Sequence, residues 1–176
     1  RKVFPCFFGS ALKLEGVQEF LDGIRKYACV PESPEDFGAR VFKIMRDETG
    51  KRLTFLKVTG GSLPVKTVFP ELEEKADQIR IYSGDRYETV DEAKAGMVCA
   101  VTGLTKTVPG MGLGTQKGKI VPVLEPVLTY RLILPEEVDA AVMLKKLRLL
   151  EEEEPELHVG WNEKTKDILI KVMGEV

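Results

Sequence analysis

Hydrophobic positions divide the chain into three stretches of different periodicity. From Arg1 to about Val30, the apolar run Val3–Phe8 reads as a short strand. Val17, Phe20, Leu21 and Ile24 then recur at the spacing of an amphipathic helix, and Tyr27 and Ala28 extend the stripe. Ser10 stands between them as a turn or helix-entry residue. Residues 31–38, PESPEDFG, bring two prolines and three acids and read as a linker. From Ala39 to about Val123 the runs become short and β-branched: RVFKIMRD, RLTFLKVTGG, KTVF, KADQIRIYSGDRYETV and GMVCAVTGL. Turns at DETGK, TGGSLP, SGD and KAG separate them. Strands so spaced, with no long helix between, predict a small antiparallel barrel or sandwich.

Residues 124–176 change again. PVLTYRLIL predicts a strand and PEEVDAAVMLKKLRLLEEEE a helix. Pro135 lies near the helix start, where Glu136 and Glu137 would complement the macrodipole. Val138, Ala141, Val142, Leu144, Leu147 and Leu150 form the apolar face, and Pro155 ends the helix. LHVGWN and DILIKVM follow as strands joined by EKTK. Strand–helix–strand–strand is the first part of a ferredoxin-like βαββαβ unit.

Composition narrows the chemistry. The 176 residues suffice for one large domain or two small ones, and 43% hydrophobic with 31% charged is ordinary for a globular protein. A net charge of -2 does not advertise nucleic-acid binding by the whole chain. No apolar run approaches the roughly 20 residues of a membrane span, and no leader pattern opens the chain. A first residue other than Met suggests an excised piece. Cys6, Cys29 and Cys99 are widely spaced, and His158 is the only histidine. That set makes no metal site and no Cys–His or Ser–His–Asp machinery, so no catalytic residue is assigned. Reduced, buried thiols of a cytoplasmic protein are expected.

The basic residues concentrate early in the barrel segment, at Arg40, Lys43, Arg46, Lys51, Arg52 and Lys57. They form either a solvated strand face or an RNA-facing patch, with Arg46, Lys51 and Arg52 as the contact candidates. The glycine-rich stretch Thr105–Lys119 fails as a P-loop, because Leu113 stands where the first glycine belongs and Ile120 where the hydroxyl belongs. It reads as a flexible barrel loop. The four glutamates 151–154 read as a solvated helix end.

Together the motifs resemble the elongation factor G class of translational GTPases. GSALKLEGVQEFLDGIRKY resembles the end of the family's GTP-binding domain. RLTFLKVTGGSL and VDEAKAGMVCAVTGL resemble its barrel. PVLTYRLIL, LKKLRLLEEEEPELHV and TKDILIKVMGEV resemble its third domain. The three segments come in the family's order and cover nearly the whole chain. Pro64–Lys66 after Leu63, the blurred Gly112–Thr115 and Leu134–Glu136 at the helix entry lean toward the ribosomal protection proteins of tetracycline resistance.

The resemblance implies an α+β multidomain fragment: strand–helix tail of a P-loop GTPase domain (1–30), linker (31–38), translation-factor β-barrel (39–123) and partial ferredoxin-like βαββ domain (124–176). It further implies that Gly9, Ser10 and Ala11 match the family's last guanine-recognition turn. GTP and Mg2+ would belong to the parent protein, with none bound to this piece. The ribosome, through its RNA and protein, is the implied partner. A standalone, non-catalytic RNA- or protein-binding barrel module is the alternative, and a small carboxylate enzyme a third reading. Truncated edges would lead the piece to self-associate or to fold its first helix onto the barrel.

Overall fold

The computed structural model describes residues 3–29, 32–120 and 125–174. They fall into two units, Arg1–Glu32 and Ser33–Val176. The first is built on helix α1 (Val17–Tyr27), entered through Gly16 in the left-handed region at φ 71°. Glu19 in its first turn and Arg25 and Lys26 in its last complement the macrodipole. The ring of Phe7 lies against the helix at Gly23, where the space of a Cβ is already taken by the ring. Phe7 also meets Phe20 edge-on at 5.8 Å. The strand expected at Val3–Phe8 does not form. A strand is held by its neighbours, and within this unit only the Ser10–Glu15 bridge is available among the described residues.

The second unit begins its main sheet with β1 (Gly38–Arg46) and β2 (Arg52–Gly60). Short strands follow: β3 (Ser62–Pro64), β4 (Val68–Phe69), β5 (Glu74–Lys75), β6 (Gln78–Ser83), β7 (Arg86–Val90), β8 (Glu92–Lys94), β9 (Val98–Thr102) and β10 (Gly112–Gly114). Six of them pair in the order β10-β1-β2-β9-β6-β7, with β3-β8 and β4-β5 as small ladders. All these pairs are antiparallel. Alternation places Val41 and Ile44 of β1, Leu56 and Val58 of β2, Ile79 of β6 and Val101 of β9 in one core. A register shift between Val41 and Lys43 lets β1 keep Ile44 inside while Phe42 and Lys43 stay outside. The result is the expected antiparallel barrel.

The remaining elements are β11 (Leu128–Leu132), α2 (Ala140–Glu153), a 3-10 turn at Pro155–Leu157, β12 (Gly160–Asn162) and β13 (Asp167–Val172). Their sheet runs β11-β13-β12, both pairs antiparallel. A helix therefore joins two strands separated by a third, as in the first half of a ferredoxin-like unit. The helix starts later than its sequence suggests. Asp139 is the cap, accepting from the N–H groups of Ala141 and Val142 at 2.7 and 3.0 Å. Pro135–Val138 is a turn instead, so Glu136 and Glu137 lie ahead of the first helical turn. No helix is long and apolar enough to cross a membrane among the described residues.

The cysteine expectation needs correction. Only Cys99 is buried, and burial pushes its thiol up to about 12. Cys6 and Cys29 are exposed, because they flank a helix in a unit too small to enclose them.

Candidate functional site

The guanine-recognition candidates sit in the first unit on a tight turn. Ser10 donates its N–H to the Glu15 carbonyl at 2.9 Å, and its own carbonyl accepts from Lys13 and Glu15 at 3.2 Å each. The Leu14 N–H reaches the Ala11 carbonyl at 3.3 Å. Gly9 and Gly16 lie back to back there. Beside the turn is a cleft of about 180 Å³ lined by Phe7, Phe8, Gly9, Ser10, Ala11, Glu15, Gly16, Val17 and Phe20. Its lining offers apolar surface and one carboxylate, with no Lys or Arg to meet phosphate. A whole nucleotide therefore does not fit these residues alone.

The three cationic candidates sit at the far end of the β1–β2 hairpin, in two different situations. Arg46 ends β1 and Arg52 begins β2, paired directly across the ladder. Arg46 is bound to the end of α2: Nη2 to Glu152 Oε2 at 2.8 Å, Nη1 to Glu153 Oε1 at 3.3 Å and to the Leu149 carbonyl at 3.4 Å. Arg52, only 13% exposed, reaches Glu152 Oε2 through Nε at 3.3 Å. Its other nitrogens donate into the barrel, to the carbonyls of Leu104 and Thr107 at 2.7 and 2.5 Å and to the Thr107 hydroxyl at 2.9 Å. Lys51 remains exposed in the turn.

Of the glutamates at 151–154, only Glu154 behaves as part of a solvated end, exposed and without an ion pair among the described residues. Glu152 and Glu153 close a clasp between α2 and the barrel, and Glu151 accepts from the Val159 N–H at 2.8 Å. Burial works to raise the Glu152 carboxyl, yet its hydrogen bonds from Arg46 and Arg52 hold it below the usual carboxylate range. The same pairing, led by the Glu152 hydrogen bond, raises Arg46. Carboxylates at the C-terminal end of a helix oppose its dipole, and the two guanidiniums offset that cost. Linear sequence hid the clasp because 100 residues or more separate the partners.

The turn between these arginines is itself stiff. The Asp47 carboxylate accepts from the Thr49 hydroxyl at 2.6 Å and from the N–H groups of Thr49 and Lys51. It also pairs with Arg80 at 3.0 Å. The Thr49 hydrogen bond leads the effects that hold Asp47 at about 2. Arg80 in turn lies over the Tyr87 ring, 4.3 Å from its centre. Tyr87 belongs to an aromatic row crossing the outer barrel face: Phe42–Phe55 at 6.3 Å, Phe55–Tyr82 at 5.5 Å and Tyr82–Tyr87 at 5.3 Å. Sequence reasoning missed this row, since its members lie on four strands and only the outward half of each alternation carries it.

The glycine-rich stretch is tied down rather than flexible. Arg40 donates to the carbonyls of Gly110 and Gly118 at 3.0 Å each and to Gln116 Oε1 at 2.8 Å. A Cβ on Gly112 would collide with the Gln116 carbonyl oxygen, so the glycine serves close packing.

Residues 36–112 match the family model described as elongation factor G domain 2. The chain is 28% identical to Elongation factor G 2 of Syntrophus aciditrophicus (strain SB), over 99% of its own length and 30% of that protein's. A crystal structure of a protein from Thermus thermophilus shares the fold, with a TM-score of 0.71 and 23% identity over 91% of this chain and 26% of that one. The barrel at residues 36–112 therefore matches elongation factor G domain 2, and the chain is similar to an elongation factor G along nearly all of its own length.

Proposed function

We propose that the protein to which this chain belongs is a cytoplasmic, ribosome-dependent GTPase of the elongation factor G or tetracycline-resistance ribosomal protection type, with the protection branch as the finer reading. The observation that carries the elongation factor G reading is the similarity to an elongation factor G along 99% of the chain, while the departures at Pro64–Lys66, Gly112–Thr115 and Leu134–Glu136 support the protection branch. Residues 1–30 then close a GTP-binding domain, 31–38 link it to the barrel at 39–123, and 124–176 open a third domain. GTP and Mg2+ belong to the remainder of that GTP-binding domain, with Gly9, Ser10 and Ala11 bordering the base. The barrel and the third domain face the ribosome. Lys51 is the exposed cation of the proposed RNA-facing patch, whereas Arg46 and Arg52 support it from within the clasp.

The test uses the full-length product of the gene with purified ribosomes. Ribosomes are expected to stimulate its GTP hydrolysis, and the product with GTP is expected to release labelled tetracycline from them. Stimulated hydrolysis without release would replace the protection branch by a translocase-like one. Absence of any stimulation would remove the ribosome reading. Lys51→Glu should weaken co-sedimentation of the chain with ribosomes several-fold at low salt and lessen its salt dependence.

A further inference from the structure

On the outer barrel face, a cleft of about 610 Å³ opens between the Asp47–Thr49 turn and the Gly84–Asp85 hairpin tip. Phe55, Tyr82 and Tyr87 line it. We infer that this cleft docks a basic peptide segment, taking an arginine side chain flat against the aromatic row with its charge met by Glu48 and Asp85.

Geometry carries the first part of the argument. The cleft already holds one guanidinium in this manner: Arg80 lies 4.3 Å over Tyr87 and pairs with Asp47 at 3.0 Å. The row continues past it through Tyr82 and Phe55 to Phe42, and its ends are open, with Tyr87 46% and Phe42 49% exposed. Planar cations stack on such faces, and guanidinium does so better than ammonium.

Charge selects the occupant. Both cations lining the cleft are already engaged, Arg46 by Glu152 and Glu153 and Arg80 by Asp47. Two lining carboxylates, Glu48 and Asp85, have no ion pair among the described residues. The uncommitted charge is thus negative. Aromatic rows also stack unpaired nucleobases, but here the phosphates would meet carboxylates. A cationic peptide meets complementary charge. The inference stands apart from the ribosome reading.

The test is a nuclear magnetic resonance titration of the full chain with acetyl-Gly-Arg-Gly-Arg-Gly-amide. Parallel titrations use the same peptide with citrulline for arginine, and hexauridylate. Saturable shifts of the Tyr82 and Tyr87 ring resonances are expected with the arginine peptide. Citrulline, which keeps the plane but loses the charge, should weaken binding about tenfold. Glu48→Gln with Asp85→Asn, both on exposed turns, should weaken it several-fold at low salt and leave the fold intact. Three results would each overturn the inference: no saturable shift, equal binding of the citrulline peptide, or preference of these rings for hexauridylate.

Discussion

Arg52 donates into three separate parts of the second unit: its own strand through Thr54, the Leu104–Thr107 segment, and Glu152 of α2. Truncating it takes the guanidinium donor from the Leu104 and Thr107 carbonyls and leaves Glu152 with one partner, while the buried Thr54 and Thr107 hydroxyls keep only each other at 2.8 Å. Arg52→Ala should therefore cost about 2–4 kcal/mol in urea unfolding, against about 1 kcal/mol for the less enclosed Arg46→Ala. Equal losses for the two would show that the barrel-side hydrogen bonds add nothing. The candidacy of these arginines was legible from their charge and clustering. Their commitment was not, since a basic residue beside a glycine turn looks the same in sequence whether it faces solvent or an acid in a later segment.

At the scale of elements, α2 meets the barrel through its C-terminal turn, where Glu152 and Glu153 face Arg46 and Arg52. A carboxyl held below its ordinary value contributes stability that is complete above that value and disappears as pH falls through the lowered one. Glu152 is such a group. Acid should therefore loosen α2 from the barrel at a pH below the ordinary carboxylate range. Amide exchange in Leu147–Glu153 should rise there while β2 and β9 remain protected. Glu152→Gln should show that faster exchange already at neutral pH, and an unchanged profile would mean that apolar packing alone seats the helix. Element types along the second unit were readable from periodicity: strands through the barrel, then strand, helix, strand, strand. The boundaries that shifted did so for local reasons. Asp139 captured the helix entry from Pro135, and the 3-10 turn at Pro155–Leu157 took up the first part of the expected LHVGWN strand. Val3–Phe8 had the composition of a strand without a ladder to join.

For the molecule as a whole, two of the surfaces left open among the described residues are suited to association. The outer edge of β11 has no neighbour among the described residues, and the strand is largely exposed, Tyr130 included. On α1, Phe20, Leu21 and Ile24 are each about half-exposed. Unpaired strand edges and apolar helix faces are where chains associate. Sedimentation velocity should show the weight-average mass rising between micromolar and millimolar concentrations. Leu128→Lys with Tyr130→Lys, on β11, should abolish the rise if that edge is responsible. A monomer throughout the range would show that these surfaces do not self-pair.

The clasp also constrains how such sequences can diverge. Because Arg46 and Arg52 share Glu152, losing the acid leaves two cations facing each other with their common counterion gone. A single change at 152 is then a worse step than a joint change at 46 and 152. Among relatives of this chain the charges at these positions should be inherited as a set. They would be exchanged together for a neutral, apolar contact, or not at all.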